Sequence, residues 1–552
     1  MQVNFNKYFN QSDRAGDRWI VLGLSIAALV LFTVNLGELP LRDWDEGLVA
    51  QVAREIWQAP AGSFTWLYPT LWGEPYFNKP TLVHSLVAWA YAVGGVNETM
   101  ARLPSALLTT ISVPLLYGIG RELFFQRLPA LFAVLIYLTS LPVVRQGRLA
   151  MLDGAILCFL LLMVWCLLRA RRNYRFASGF GLSFGLICLT KGIMVGVLLG
   201  AIALIFIAWD TPRLLRLPYL WLGLLLGTVP VALWYLAQWQ HYGAEFWSQN
   251  LVNQSLQRIW AGVENNSGPP WYYLLEVLKY SAPWLLFLPL GIKQAWLNRN
   301  LSWAKLALVW AGVYFVAISL MTTKLPWYSL PLYPALALFG GVALAQLWQK
   351  GNWHGVRQLP APVYSWLWLV WFSLLALAGW GGFIYFGWFS TLKEPDLALI
   401  LAMVGMTMTI ATLLVLRQNP QFIAVIIWGT YLALVLLMVS EHWVWELAEA
   451  YPVKPVAAVV QQAAKEQKVY TSYPYNRPSL NFYSDRQVVP ASLQELRRRW
   501  RREDQPYLLL DQETLASLKL ARVQTLGIAE GWTLITKGAA KPPLPPAPTT
   551  AP

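Results

Sequence analysis

Apolar residues in this chain come in runs of roughly 15–20 positions, apolar on every face, as expected for helices surrounded by lipid. Short polar joints rich in Arg and Lys separate the runs. The first run, residues 19–36, predicts an uncleaved helix leaving a basic stretch that carries Lys7, Arg14 and Arg18. Further crossings are predicted at residues 103–118, 129–144, 154–168, 176–189, 195–209, 219–237, 281–292, 306–320, 325–347, 364–386, 397–416 and 422–439, about 13 in all. Residues 82–96 are too few to cross. They are expected to lie against the outer side, because only then do Arg121 and Arg127, and the later group Arg169, Arg171, Arg172 and Arg175, all face the cytoplasm.

Two regions break the pattern. Leu41-Arg-Asp-Trp-Asp-Glu-Gly-Leu48 follows the first run and carries Asp43, Asp45 and Glu46. Behind it, Leu48, Val49, Val52, Ala53 and Ile56 recur at helical spacing, predicting a short amphipathic helix along the membrane surface. After Tyr451 the composition turns mixed. Strands are expected at 469–472, 487–489, 507–510 and 532–536, with helices at 492–500 and 513–520 between them. This predicts an extracytoplasmic α/β domain over residues 451–540, followed by a Pro- and Ala-rich disordered tail at 541–552. Residues 238–270 read as a long polar loop.

Composition supports a polytopic membrane protein: 57% of the 552 residues are hydrophobic and only 13% are charged, about half the share in soluble domains. The 31 Trp and 25 Tyr suit bilayer interfaces. A net charge of +14 does not indicate nucleic acid as a partner, since the basic residues lie in short loops between spans. Cys158, Cys166 and Cys188 all lie in apolar runs, against a disulfide framework or a zinc cluster. The histidines His84, His241, His354 and His442 lack ligand spacing, so no metal is indicated, and no nucleotide-binding glycine motif is present.

Ionisable groups beside membrane spans are functional candidates. The expected topology collects Asp45, Glu46, Lys79, Arg145, Arg148, Asp153, Lys191, Arg258 and Lys324 on the outer side. Carboxylates ringed by cations suit an anionic, lipid-linked substrate, with phosphate held by Lys and Arg and an acceptor hydroxyl by Asp. Interface-anchoring lysines, ion pairs such as Arg148 with Asp153, and a solvated acidic loop remain the structural alternatives.

Four motifs then stand in order: Trp44-Asp45-Glu46 with Ala53-Arg54-Glu55-Ile56; Gly73-Glu-Pro-Tyr-Phe-Asn-Lys-Pro80; Leu189-Thr-Lys-Gly192; and Thr323-Lys-Leu-Pro-Trp-Tyr-Ser-Leu-Pro-Leu-Tyr-Pro-Ala335. On these the chain resembles the GT-C glycosyltransferases, in the branch of the lipid A aminoarabinose transferases and their protein O-mannosyltransferase relatives. It departs from the usual pattern at Asn78, where Glu precedes the motif lysine, and at Leu48, often Arg.

The resemblance implies a GT-C transmembrane catalytic domain over residues 19–440, after a cytoplasmic stretch 1–18, with juxtamembrane helices in an outer loop 37–102. It implies transfer of a sugar from a polyprenyl-phosphate donor to a lipid or protein acceptor at the outer face of a bacterial inner membrane, by a monomer needing no certain cofactor. Asp45 is expected as general base and Glu46 as its neighbour in tuning or acceptor positioning. Lys79, Lys191, Arg258, Lys324 and Tyr328 are expected on the donor, and Asp153 on the acceptor. A protein O-glycosyltransferase of the same fold, and a lipid-linked-sugar flippase, are the alternatives; the flippase predicts inverted repeats, which the sequence does not show.

Overall fold

The computed structural model describes residues 11–262, 266–352, 364–391, 393–445, 452–464 and 467–538. The tail expected to be disordered, together with Lys7 and His354, lies outside these residues. Among the described residues two compact units result: those within 11–39, 53–70 and 74–444 form one, and those within 40–52, 71–73 and 445–538 the other.

The first unit is helical. Among the described residues, ten helices are long and apolar enough to cross a membrane, or up to twelve if two bent pairs each count as one span. One pair, Arg127–Leu138 and Leu141–Arg148, bends by 57°. Its cause is local: Thr139 and Ser140 hydroxyls donate back to Leu135 O at 2.6 Å and Ile136 O at 2.7 Å, and Pro142 follows without an N–H. The other pair, Tyr272–Tyr280 and Trp284–Leu297, turns by 116° around Pro283.

Two expectations change. The crossing expected at 176–189 is the 14-residue helix Ser178–Lys191, too short to count as a full span, so about 13 crossings become ten to twelve. It is held by close backbone approach instead: a Cβ on Gly181 would lie 2.0 Å from Gly223 C, and one on Gly185 would lie 2.1 Å from Gly227 O. Glycines four apart on both helices let Ser178–Lys191 and Pro218–Tyr242 touch without side chains between them. The polar loop expected at 238–270 is mostly helical, continuing from Pro218–Tyr242 into Ala244–Phe246, the wide-turned π-helix Trp247–Leu256 and Gln257–Trp260. The apolar run expected at 82–96 to be too short to cross forms the helix Leu82–Gly94, 13 residues long, capped where Gly95 N–H donates to Tyr91 O.

The second unit contains a five-stranded sheet. Val469–Thr471 lies between Val488–Pro490 and Tyr507–Asp511, parallel to both, and Tyr507–Asp511 continues antiparallel to Trp532–Lys537 and then Val523–Ala529. Leu508 and Leu510 alternate with Leu509 along one strand. Leu509 packs with the helix Val453–Val460, whereas Leu508 and Leu510 pack with Leu496, Trp500 and Leu518 from the opposite layer. The four expected strands and two expected helices are present. The edge strand Val523–Ala529 and the helices Val453–Val460 and Pro478–Ser484 were not expected from the sequence.

Candidate active site

In the first unit, four expected residues form one connected chain of contacts. Asp153 opens the helix Asp153–Ala170, and Lys191 closes Ser178–Lys191. Each charge therefore sits at the helix end whose dipole favours it. Lys191 Nζ meets Asp153 Oδ1 at 2.6 Å, with the two side chains only 14% and 5% exposed. Gly192 fixes the lysine's place: its φ of 100° permits the reversal into Ile193–Asp210, and its N–H donates to Cys188 O.

Lys191 Nζ also lies 5.4 Å above the Tyr328 ring, within cation–π range. The Tyr328 hydroxyl accepts from an Arg258 guanidinium nitrogen at 2.8 Å, and Gln254 accepts from the other at 2.8 Å. Tyr314 fixes the Tyr328 backbone by donating to its carbonyl at 2.8 Å. Arg258 is seated by a short ladder in which Thr323 N–H donates to Arg258 O and Thr322 N–H to Ile259 O, at 3.2 and 2.9 Å. Two segments distant in sequence, 258–261 and 322–324, are thus laced together and carry the arginine and the tyrosine to one place.

Lys324 lies buried next to this ladder with its ammonium occupied. Its Nζ donates to Ile318 O at 3.0 Å and Ser319 O at 2.8 Å, the end of the helix Ser302–Leu320, and lies 5.1 Å from the Tyr273 ring. An ammonium has three N–H groups, so two carbonyls and a ring face fill its shell. Burial pushes its pKa below the ordinary lysine value. The structure therefore places Lys324, expected among the phosphate cations, as a cap on a helix C-terminus. Lys79 is half-buried, in a loop anchored where Asn250 donates to Phe77 O at 2.6 Å and Phe77 packs against Tyr242 and Phe246.

Arg148 was expected in the same outer cation group; it is also a cap. It donates to Leu31 O at 2.8 Å and Val34 O at 2.5 Å, beyond which Arg102 donates to Leu36 O and Leu39 O at 3.0 and 2.7 Å. Both guanidiniums lie about the ring of buried Trp443, at 4.8 and 5.0 Å. Arg148, on carbonyls at the end of Gln11–Thr33, suits the helix dipole, while Arg102 holds the chain that follows it. Sequence reading missed Arg102 and Trp443 as one assembly. Arg102 stands in Arg102-Leu-Pro-Ser105, a stretch consistent with the resemblance, whereas Trp443 carries no such signal. An open cavity of about 500 Å³, lined by Trp57, Trp66, Trp89 and Ala88 among others, has no charged lining residue and belongs to none of these clusters.

The second unit holds the acidic motif. The helix Asp45–Gln58 starts directly after Trp44, whose φ of 59° is left-handed. Glu46 is fully buried and accepts from Arg42 N–H at 2.9 Å, closing the turn around the motif. Asp45 keeps a 39% exposed side chain, with an Arg42 guanidinium nitrogen 3.8 Å from its carboxylate. Of the two adjacent carboxylates, one is committed to the fold and the other faces outward. Among the described residues, no three His, Cys, Asp or Glu side chains gather as a metal cage.

Residues 78–235, less than a third of the chain, match the profile of the dolichyl-phosphate-mannose-protein mannosyltransferase family. The chain is 29% identical, over 65% of its length and 66% of the relative's, to an undecaprenyl phosphate-alpha-4-amino-4-deoxy-L-arabinose arabinosyl transferase of Pseudomonas fluorescens. A second such transferase from that species is 30% identical over 59% of this chain and 60% of its own. The chain thus spans just under two thirds of the length of these curated relatives. In three dimensions it resembles ArnT from Cupriavidus metallidurans in its crystal structure bound to undecaprenyl phosphate, with a TM-score of 0.73 at 20% identity, covering 95% of this chain and 98% of that one. The apo structure of the same protein matches with the same score. The fold is the polytopic helical GT-C fold with a small C-terminal sheet region, as the motifs implied.

Proposed function

We propose that this chain is an inner-membrane glycosyltransferase that moves a sugar from a polyprenyl-phosphate donor, of the undecaprenyl type, to an envelope acceptor such as lipid A on the periplasmic side. The observation that carries this reading is the partly buried chain Asp153–Lys191–Tyr328–Arg258, which sets an arginine fork and an ammonium around one tyrosine at the ends of apolar helices. Such a fork matches phosphate oxygens two at a time, and the ammonium adds a point charge. The named function of the curated relatives supports the same donor class.

In the proposed reaction Asp45 takes the proton of an acceptor hydroxyl. The oxygen then forms its bond to the anomeric carbon while the bond to the polyprenyl phosphate breaks, with inversion at that carbon. The departing phosphate carries its electron pair as negative charge and needs cations more than a proton, a need met by Arg258, Lys191 and Lys79. Asp153 keeps Lys191 aimed, while Lys324 and Glu46 hold the segments that carry Tyr328 and Asp45. The family profile favours a second acceptor class, a protein hydroxyl; product analysis with lipid and peptide acceptors separates the two.

Donor binding tests the phosphate site. Purified wild-type protein in nanodiscs should bind undecaprenyl phosphate, and Arg258→Ala should weaken that binding by about 10–100-fold, the value of one charge-assisted bond. Unchanged affinity in Arg258→Ala would remove the phosphate from this network.

A further inference from the structure

Asp43 has no part in the proposed chemistry, yet it is only 1% exposed. One carboxylate oxygen accepts from the Ser479 N–H at 3.1 Å and from the Ser479 hydroxyl, and the other accepts from Arg477 at 2.9 Å. Arg477 is itself held flat. Its guanidinium lies 4.5 Å from the Tyr473 ring and 5.2 Å from the Tyr475 ring, it donates to the Tyr475 hydroxyl at 2.9 Å, and Tyr473 stacks on Trp532 of the sheet at 3.7 Å. Burial pushes the Asp43 carboxyl above the ordinary carboxylate range, while Ser479 and Arg477 pull it back.

The same segment meets the acidic motif at further points. Leu41 N–H donates to the Tyr483 hydroxyl at 2.7 Å, and the Trp44 and Tyr475 rings lie 6.0 Å apart. A Cβ on Gly47 would stand 2.6 Å from Ser479 N and 2.8 Å from Pro478 C, so only glycine allows this approach. Contacts at 41, 43, 44 and 47 flank Asp45 on both sides, and they hold Trp44 in a left-handed conformation that a large side chain does not adopt unaided. Asp45 itself stays half-exposed between them.

We infer that Arg477 and Ser479, through Asp43, are positioning residues for Asp45, which makes the segment from Tyr475 to Tyr483 a working part of the catalytic loop. This rests on the reading of Asp45 as the base. The test is steady-state transfer by the full chain carrying Arg477→Ala, Arg477→Lys or Ser479→Ala, with undecaprenyl-phosphate affinity measured in parallel and Asp45→Asn as control. A base displaced by about 1 Å loses about 10–100-fold in rate. The expected result is a kcat lowered by that factor in Arg477→Ala, with donor affinity unchanged and partial recovery in Arg477→Lys, whose ammonium still reaches Asp43. Ser479→Ala removes one hydroxyl and keeps the backbone N–H, so it should fold and still lower kcat; it decides the matter if Arg477→Ala does not accumulate. Wild-type kcat in both alanine variants beside an inactive Asp45→Asn would overturn the positioning role alone. Equal loss of kcat and donor affinity would overturn it too, as general damage. Full turnover by Asp45→Asn would instead overturn the base, and the positioning role with it.

Discussion

Replacing Lys191 with methionine removes a cation while keeping much of its volume, and so isolates the buried pair. At 2.6 Å and an effective dielectric near 20, the two charges attract by about 6 kcal/mol, much of it offset by the desolvation of both. What the variant exposes is the other side of that balance: Asp153, 5% exposed, left without its ammonium. Breaking a buried pair in this way costs about 3–5 kcal/mol, or about 10²–10⁴-fold in the unfolding constant. Unfolding in mixed detergent–SDS micelles reads that shift directly. Adding Asp153→Asn to Lys191→Met should recover most of the loss, to within about 1–2 kcal/mol of wild type, because no charge then remains buried. Donor binding should not recover, since the cation is still missing. If the double variant is as unstable as the sum of the two single ones, the residues are not coupled, and Lys191 would have to be explained as an interface anchor.

Gly192→Ala should destabilise by about 1–3 kcal/mol in the same unfolding assay, the cost of φ near 100° for a residue with a Cβ. The nearest atom to that Cβ is Tyr235 Oη at 3.7 Å, so the loss is conformational and should be no larger in Gly192→Ser than in Gly192→Ala. Trp443→Leu strips the ring from Arg102 and Arg148 and should cost about 2–5 kcal/mol by the same measurement, from lost core volume and two cation–π contacts. Tyr328→Phe keeps the ring beneath Lys191 but removes the hydroxyl that Arg258 meets; with a bond of about 0.5–1.5 kcal/mol lost, undecaprenyl-phosphate affinity should fall about 2–10-fold by binding titration.

The helices were legible because lipid-facing runs need no pattern beyond length. The helix Ser178–Lys191 has 14 residues, fewer than the length of a full span, and its apolar composition does not reveal that glycine contacts hold it. Trp247–Leu256 carries no helical signal in the sequence, because Ser248, Gln249, Asn250, Asn253 and Gln254 give no apolar stripe and a π-helix shows no period of 3.6. The edge strand Val523–Ala529 was missed for a related reason. It is largely exposed, so its residues carry no burial pattern, although the turn into Trp532 through Glu530 and Gly531, both with positive φ, leaves a glycine in the sequence as a signal. Val453–Val460 is valine-rich and looks like a strand; packing against the sheet makes it a helix.

Within the site, motif and charge brought forward Asp153, Lys191, Arg258 and Tyr328, and the structure joins these four into one network. Lys324 was equally visible but could not be distinguished, because a lysine that caps helix carbonyls and one that holds phosphate look alike in sequence. The clasp of Asp43 by Arg477 and Ser479 was invisible for another reason. More than 430 positions separate the partners, and neither Arg477 nor Ser479 stands in any motif.

Asp45 chemistry is tested most directly by sugar transfer from a panel of purified polyprenyl-phosphate sugars to lipid A in proteoliposomes, wild type beside Asp45→Asn. One donor should turn over in the wild type and fall by about 10²–10⁴ in the variant while still binding, as expected for a lost general base. Equal turnover by the two proteins would contradict the assignment of Asp45 as the base.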